Sequence, residues 1–191
     1  MALKTLVKVG SITNLSDARY CAGMGVDFLG FRVIEGQTGA VPVRTFQEIR
    51  GWITGPQIVA EIYGLTTEVQ LTRIIEETQP DYLEMSMAEY KIIGHLISLP
   101  YILQVEDAEH IPGDFSSRPA YILTGANIHA TTSRFIPDFE LLVEVTSVNE
   151  LDAAVSRTGV SGIALYGGAE IKPGLKNYEE LSGILEALEV D

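Results

Sequence analysis

Cysteine is nearly absent: Cys21 is the only one in 191 residues. An internal disulfide and a cysteine-ligated metal cluster are thereby excluded, and a reducing, cytoplasmic setting is expected. Histidine is scarce as well. His95, His110 and His129 are scattered, with no H-x-E or H-E-x-x-H spacing to bring imidazoles onto one metal, so no metal site is expected from them. Basic residues number 13 against 26 acidic ones, a formal charge of -13. This balance argues against nucleic acid and anionic membranes as partners, since both demand a basic face. Long apolar runs are missing: stretches such as Tyr101 to Val105 are strand-sized, far short of the roughly 20 residues that span a bilayer. The opening MALKTLVKVG holds no signal-peptide core. The first strand–helix turn reads VGSITN rather than G-x-G-x-x-G, so the dinucleotide fingerprint is absent and no cofactor is expected.

What is present is regular alternation. Strand-like runs cover Thr5–Val9, Phe28–Val33, Ile58–Tyr63, Tyr82–Met85, Tyr101–Val105, Tyr121–Leu123, Glu140–Val145 and Gly162–Leu165. They read as near-continuous apolar segments, as strands of a parallel sheet covered by helices do. Amphipathic stretches at Ser16–Met24, Val43–Ile53, Thr67–Glu77, Ala88–Ile97, Asn149–Ser156 and Tyr178–Leu188 separate them. Asn14 or Ser16 can cap the first helix, which meets Gly23 and Gly25 at its end, and Ser147 or Asn149 can cap the helix after the seventh strand. Asp107–Ile111 and Asn127–Phe135 read as short turns or irregular loops. No linker breaks the pattern, so residues 1–191 form one domain. Eight β/α units favour closure into a compact (β/α)8 TIM barrel with some short or irregular helices.

The segment VKVGSITNLSDARYCAGMGVDFLGF carries Val7, Lys8, Ile12, Thr13, Asn14, Asp17, Ala18, Gly25, Asp27, Gly30 and Phe31 in the register of a V-K-I-C-G-I-T-N-x-x-D-A motif followed by G-A-D-x-x-G-F. Near the other end, GIALYGGAEIKPGLKNYEEL places Gly168, Glu170, Pro173, Gly174, Lys176 and Asn177 as in a last strand, phosphate loop and P-G-x-K-D segment. On these residues the chain resembles the phosphoribosylanthranilate isomerase family of tryptophan, and so amino-acid, biosynthesis; between the two ends the match is one of element order. The resemblance implies a barrel and an aldose–ketose (Amadori) rearrangement, with a cysteine base ending the first strand and an aspartate acid ending the sixth. The corresponding positions are Gly10, followed by Ser11, and Thr124, and neither can perform proton transfer near neutral pH. Gly39 falls where the family carries an arginine for the anthranilate carboxylate. The family's Q-L-H-G segment is replaced by Leu83, Glu84, Met85, Ser86 and Met87, and its S-G-G turn by Val145, Thr146 and Ser147.

Glu35, Glu61, Glu84, Glu106 and Glu144 lie at or near strand ends, and uncompensated carboxylates there would repel a multiply charged anion. Which of them face the barrel mouth depends on strand parity. Glu84 or Glu106, assisted by Ser11, are the candidate substitutes for the lost base, and Glu61 with Glu84 on adjacent strands is a conjectural Mg2+ pair. Gly167, Gly168 and Ala169, with Thr146 and Ser147, are the candidate phosphate-binding residues, and Lys172 and Lys176 can add positive charge. Cys21 and Trp52 read as packed structural residues. The expected protein is therefore an isomerase-like barrel, monomeric or homodimeric, in which the family activity is lacking or much reduced. The rivals are a true isomerase with recruited groups, a non-catalytic binding barrel, and an enzyme for a less anionic small molecule.

Overall fold

Eight short strands pair in parallel, each with the next in the chain, and the last returns to the first to close a barrel. The computed structural model describes residues 2–106, 114–125, 139–156, 159–167, 170–172, 175–176 and 179–190. The strands are β1 (Leu6–Gly10), β2 (Phe28–Arg32), β3 (Gln57–Glu61), β4 (Tyr82–Ser86), β5 (Tyr101–Val105), β6 (Tyr121–Thr124), β7 (Glu140–Glu144) and β8 (Val160–Tyr166). Closure rests on β1 and β8, which pair over five residues from Leu6 opposite Gly162 to Gly10 opposite Tyr166. An antiparallel hairpin follows, β9 (Glu170–Lys172) with β10 (Leu175–Lys176). The barrel expected from eight alternating units is the one observed. The segments Asp107–Ile111 and Asn127–Phe135 lie outside the described residues.

The helices form where capping chemistry meets an apolar stripe. In α1 (Leu15–Gly23), Asn14 Oδ1 accepts from Asp17 N at 2.9 Å, satisfying a first-turn donor that has no partner within the helix. α2 covers Val43–Arg50. Thr67 and Gln70 form a reciprocal capping box on α3 (Glu68–Thr78), and Ser86 and Glu89 form another on α4 (Met87–Ile93). α4 is shorter than the amphipathic pattern suggests, giving way to a 3-10 turn at Gly94–Leu96. α5 (Val148–Val155) and α6 (Glu179–Ala187) complete the described helices. Lys4 N donates to Leu188 O at 2.9 Å, tying the chain beyond α6 to the residues leading into β1.

Strand parity divides the core. Odd positions of β1 such as Val7 and Val9, with Phe31, Ile163 and Leu165, point out and pack under the helices, where Cys21 is also fully buried. Phe28, Val59, Ile102, Leu123, Leu142 and Ala164 point inward and fill the lower barrel, with Tyr82 and Tyr121 partly buried against them. Trp52 departs from expectation: it follows α2 on the surface and is 72% exposed rather than packed. No helix among the described residues is long and apolar enough to cross a membrane.

Gly162 shows how tightly the seam between β8 and β1 is drawn. A Cβ there would overlap the carbonyl oxygen and Cβ of Leu6, and backbone cannot rotate away as a side chain can. Gly162→Ala is expected to lower stability by about 1–3 kcal/mol, read as a shifted midpoint in denaturant unfolding; an unchanged midpoint would mean the seam is looser than described.

Candidate functional site

The parity that points Phe28 and Ala164 inward does the same for Lys8, their partner in register on β1. Lys8 is the one charged residue of the strand LVKVG, and it is fully buried. Its ammonium lies 3.0 Å from Glu61 Oε1, and 3.1 and 2.9 Å from Oε1 and Oε2 of Glu84. Both carboxylates are buried, because Glu61 and Glu84 occupy inward positions that pair directly across β3 and β4. The Tyr63 hydroxyl donates to Glu84 Oε1 at 2.8 Å, and the Tyr166 ring centroid lies 5.9 Å from Lys8 Nζ. Ser11 N donates to both oxygens of Glu61, at 3.1 and 3.2 Å, with the Ser11 hydroxyl 3.4 Å away. Arg32 Nε is 3.9 Å from Glu61 Oε2 and makes no hydrogen bond.

Two glycines make room for this arrangement. A Cβ on Gly10 would sit 2.5 Å from Glu61 Oε1 and 2.7 Å from Lys8 Nζ, and one on Gly30 would overlap the Glu61 carboxylate. Gly10 is thus more than a lost side chain, since the space above it belongs to Glu61.

The electrostatics follow from burial. Desolvation alone would push the Lys8 ammonium down, but the two carboxylates outweigh it and hold its pKa above the ordinary value. Glu84 moves up: burial penalises its charged form and Glu61 adds repulsion, while Lys8 only partly compensates. Burial also raises the Tyr63 hydroxyl, reinforced by Glu84 and Glu61. Tyr166 rises for the same first reason, opposed by Lys8. Half-buried Glu144 is raised by burial and by Glu150. Chemically the cluster is a committed cation beside a carboxyl that holds its proton more firmly than usual. Lys8, raised rather than lowered, is poorly suited to act as a nucleophile.

The residues singled out in the sequence are dispersed. Glu61 and Glu84 meet, but Lys8 stands between them where a divalent cation would sit, and no group of three or more metal-ligating side chains occurs among the described residues. The picture of uncompensated carboxylates is corrected in part here, because Lys8 pairs with two of the five, Glu61 and Glu84. Glu106 is exposed beyond β5, and Glu35 is exposed beside a groove of about 390 Å³ outside the barrel, between the β2–α2 loop and α3. Thr124 is buried two residues after Ile122, in register with Val105 and Val143 of the outward rows. The residue with inward parity is Gly125, where a Cβ would meet open space.

Two of the candidate phosphate-binding residues, Gly167 and Thr146, already donate within the protein. Gly167 N donates to Gly10 O at 2.8 Å. Thr146 N and Oγ1 both donate to Glu150 Oε2 at 2.9 Å. Ser147 precedes α5 without a side-chain capping bond. Gly168 and Ala169 lie outside the described residues, and Lys172 and Lys176 are described as backbone of the β9–β10 hairpin. Gly39 takes a positive φ of 77° in the β2–α2 loop. His95 pairs with Glu68 at 3.5 Å on the surface, while His110 and His129 are outside the described residues. Sequence reasoning missed Lys8, Tyr63 and Tyr166 as parts of one cluster. The available signal was a lysine centred in an apolar strand.

No protein-family model and no curated protein matches the chain. Solved structures do. TrpF from Jonesia denitrificans superposes with a TM-score of 0.75 at 14% identity, covering 96% of each chain. Phosphoribosyl anthranilate isomerase from Thermus thermophilus gives 0.70 at 17% identity, covering 96% of this chain and 98% of that one. A phosphoribosyl anthranilate isomerase in complex with reduced 1-(o-carboxyphenylamino)-1-deoxyribulose 5-phosphate gives 0.70 at 16%, covering 95% and 97%. At these identities the likeness establishes the barrel fold.

The upward shift of Glu84 fixes a sign. A carboxyl whose folded value exceeds its unfolded value, about 4.3, stabilises the fold fully below that unfolded value and loses the contribution as pH rises through the folded value. Gln at this position cannot titrate. The stability of Glu84→Gln relative to the wild type should therefore improve as pH is raised from about 4, then level off, in denaturant unfolding across a pH series. A difference that is flat or falls with pH would contradict the assignment.

Proposed function

We propose that this chain is a phosphoribosylanthranilate isomerase-like barrel that does not carry out the Amadori rearrangement. The terminal motifs and the like-folded isomerases support the family reading. The loss of activity rests on one observation: the Glu61 carboxylate fills the space above Gly10, where the family's base would stand. A substrate bearing a phosphate and a carboxylate also meets no uncommitted N–H at Thr146 or Gly167, and Lys8 is spent on two internal carboxylates. Fold likeness alone does not fix chemistry.

Turnover of phosphoribosylanthranilate by the purified chain should not exceed the uncatalysed rate, and the gene should fail to rescue a tryptophan auxotroph lacking the isomerase. Gly10→Cys should lower stability by about 1–3 kcal/mol through overlap with Glu61 and restore no rate. Rescue by the unaltered chain would overturn the proposal.

A second reading has one observation behind it, the buried Glu84 carboxyl, which burial pushes above its ordinary value and which accepts from the Tyr63 hydroxyl. Such a pair suits acid–base chemistry on an uncharged small molecule, an aldose for example, admitted at the same mouth. Thermal-shift screening of uncharged sugars tests it, because a ligand at 100 times its Kd stabilises by about 2.7 kcal/mol. A turnover reaction found in that way should fall about 10²–10⁴-fold in Glu84→Gln; unchanged turnover would remove Glu84 from the mechanism.

A further inference from the structure

The surroundings of Glu61 form a receptor for a small anion. Ser11 adopts a positive φ of 54°, and its N–H contacts both carboxylate oxygens while its hydroxyl approaches one of them. Lys8 brings a fully buried ammonium to 3.0 Å. Arg32 Nε stands 3.9 Å away with no hydrogen bond of its own. Gly10 and Gly30 contribute walls without Cβ atoms, so the anion can lie against backbone. Backbone N–H, ammonium and guanidinium converging on one point are the donors that proteins use for carboxylates and phosphates. Here the occupant is covalently attached, on the neighbouring strand β3. The β7–α5 loop repeats the pattern on a smaller scale, with Glu150 taking both donors of Thr146.

We propose that the Glu61 carboxylate is a built-in ligand of an anion-receiving site, and that a free monocarboxylate of formate or acetate size takes its place when the side chain is cut back. Glu84 is already held by its own partners, the Lys8 ammonium and the Tyr63 hydroxyl. Removing Glu61 leaves Lys8 paired with Glu84 alone, while the Ser11 N–H loses its acceptor and Arg32 its nearby countercharge. This inference shares with the proposed function the placement of Glu61 over Gly10 and against Lys8. Its test reads binding rather than turnover, so the two fail separately.

The experiment is a thermal-shift titration of wild type, Glu61→Ala and Glu61→Gln with sodium formate and sodium acetate, against sodium chloride at matched ionic strength. Glu61→Ala should show a saturable rise in Tm beyond chloride, about 5–10 °C at 100 times the dissociation constant. The wild type, whose site is filled, and Glu61→Gln, whose side chain fills it by shape, should respond to formate only as they do to chloride. If Glu61→Ala is unfolded in buffer, recovery of its native circular dichroism in formate supports the proposal and persistent unfolding overturns it. A folded Glu61→Ala that does not distinguish formate from chloride also overturns it. So does an equal formate response in Glu61→Gln, which would locate the anion elsewhere.

Discussion

A lysine ammonium enclosed between two carboxylates organises the upper half of this barrel. Opposite charges 4 Å apart attract by about 4 kcal/mol at an effective dielectric near 20, while each buried ion forfeits several kcal/mol of hydration. The balance is decided by supporting hydrogen bonds, and these are present: Tyr63 supports Glu84, and Ser11 supports Glu61. Removing the lysine charge from such a set costs about 3–5 kcal/mol because both carboxylates are left unpaired. Gly10 and Gly30 follow from the same arrangement, since any side chain there would collide with Glu61.

Much of the architecture is legible in the chain because barrel geometry is written locally. Eight apolar runs of strand length, a cap at Asn14, and amphipathic stretches between them place β1 to β8 within one or two residues. The site is less legible because its bonds are not local. Lys8 meets carboxylates 53 and 76 residues away, and charges counted along a sequence do not reveal cancellation across strands. Thr124 illustrates a second limit. A one-residue change of register reverses which side of a strand a residue faces, so it lies in an outward row and Gly125 carries the inward parity. Trp52 illustrates a third, since aromatic character by itself does not bury a residue just past the end of a helix.

The structural consequence is that donors near the barrel mouth are taken up by the protein's own carboxylates. Where an anion-binding barrel presents donors to its substrate, this one presents them to Glu61, Glu84 and Glu150. The mouth keeps its scaffold while its positive potential is neutralised from within. Fold alone does not fix a reaction: the inward positions of these strands hold Lys8, Glu61 and Glu84.

The state of Lys8 is the most direct test of this account. Side-chain nitrogen NMR of selectively labelled lysine, followed through alkaline pH, reports when its ammonium loses a proton. The account predicts that Lys8 remains charged beyond the ordinary lysine value of about 10.4, titrating after the surface lysines. A Lys8 resonance that titrates below that value would mean that desolvation outweighs the two carboxylates, and that the cation on which the cluster depends is not held there.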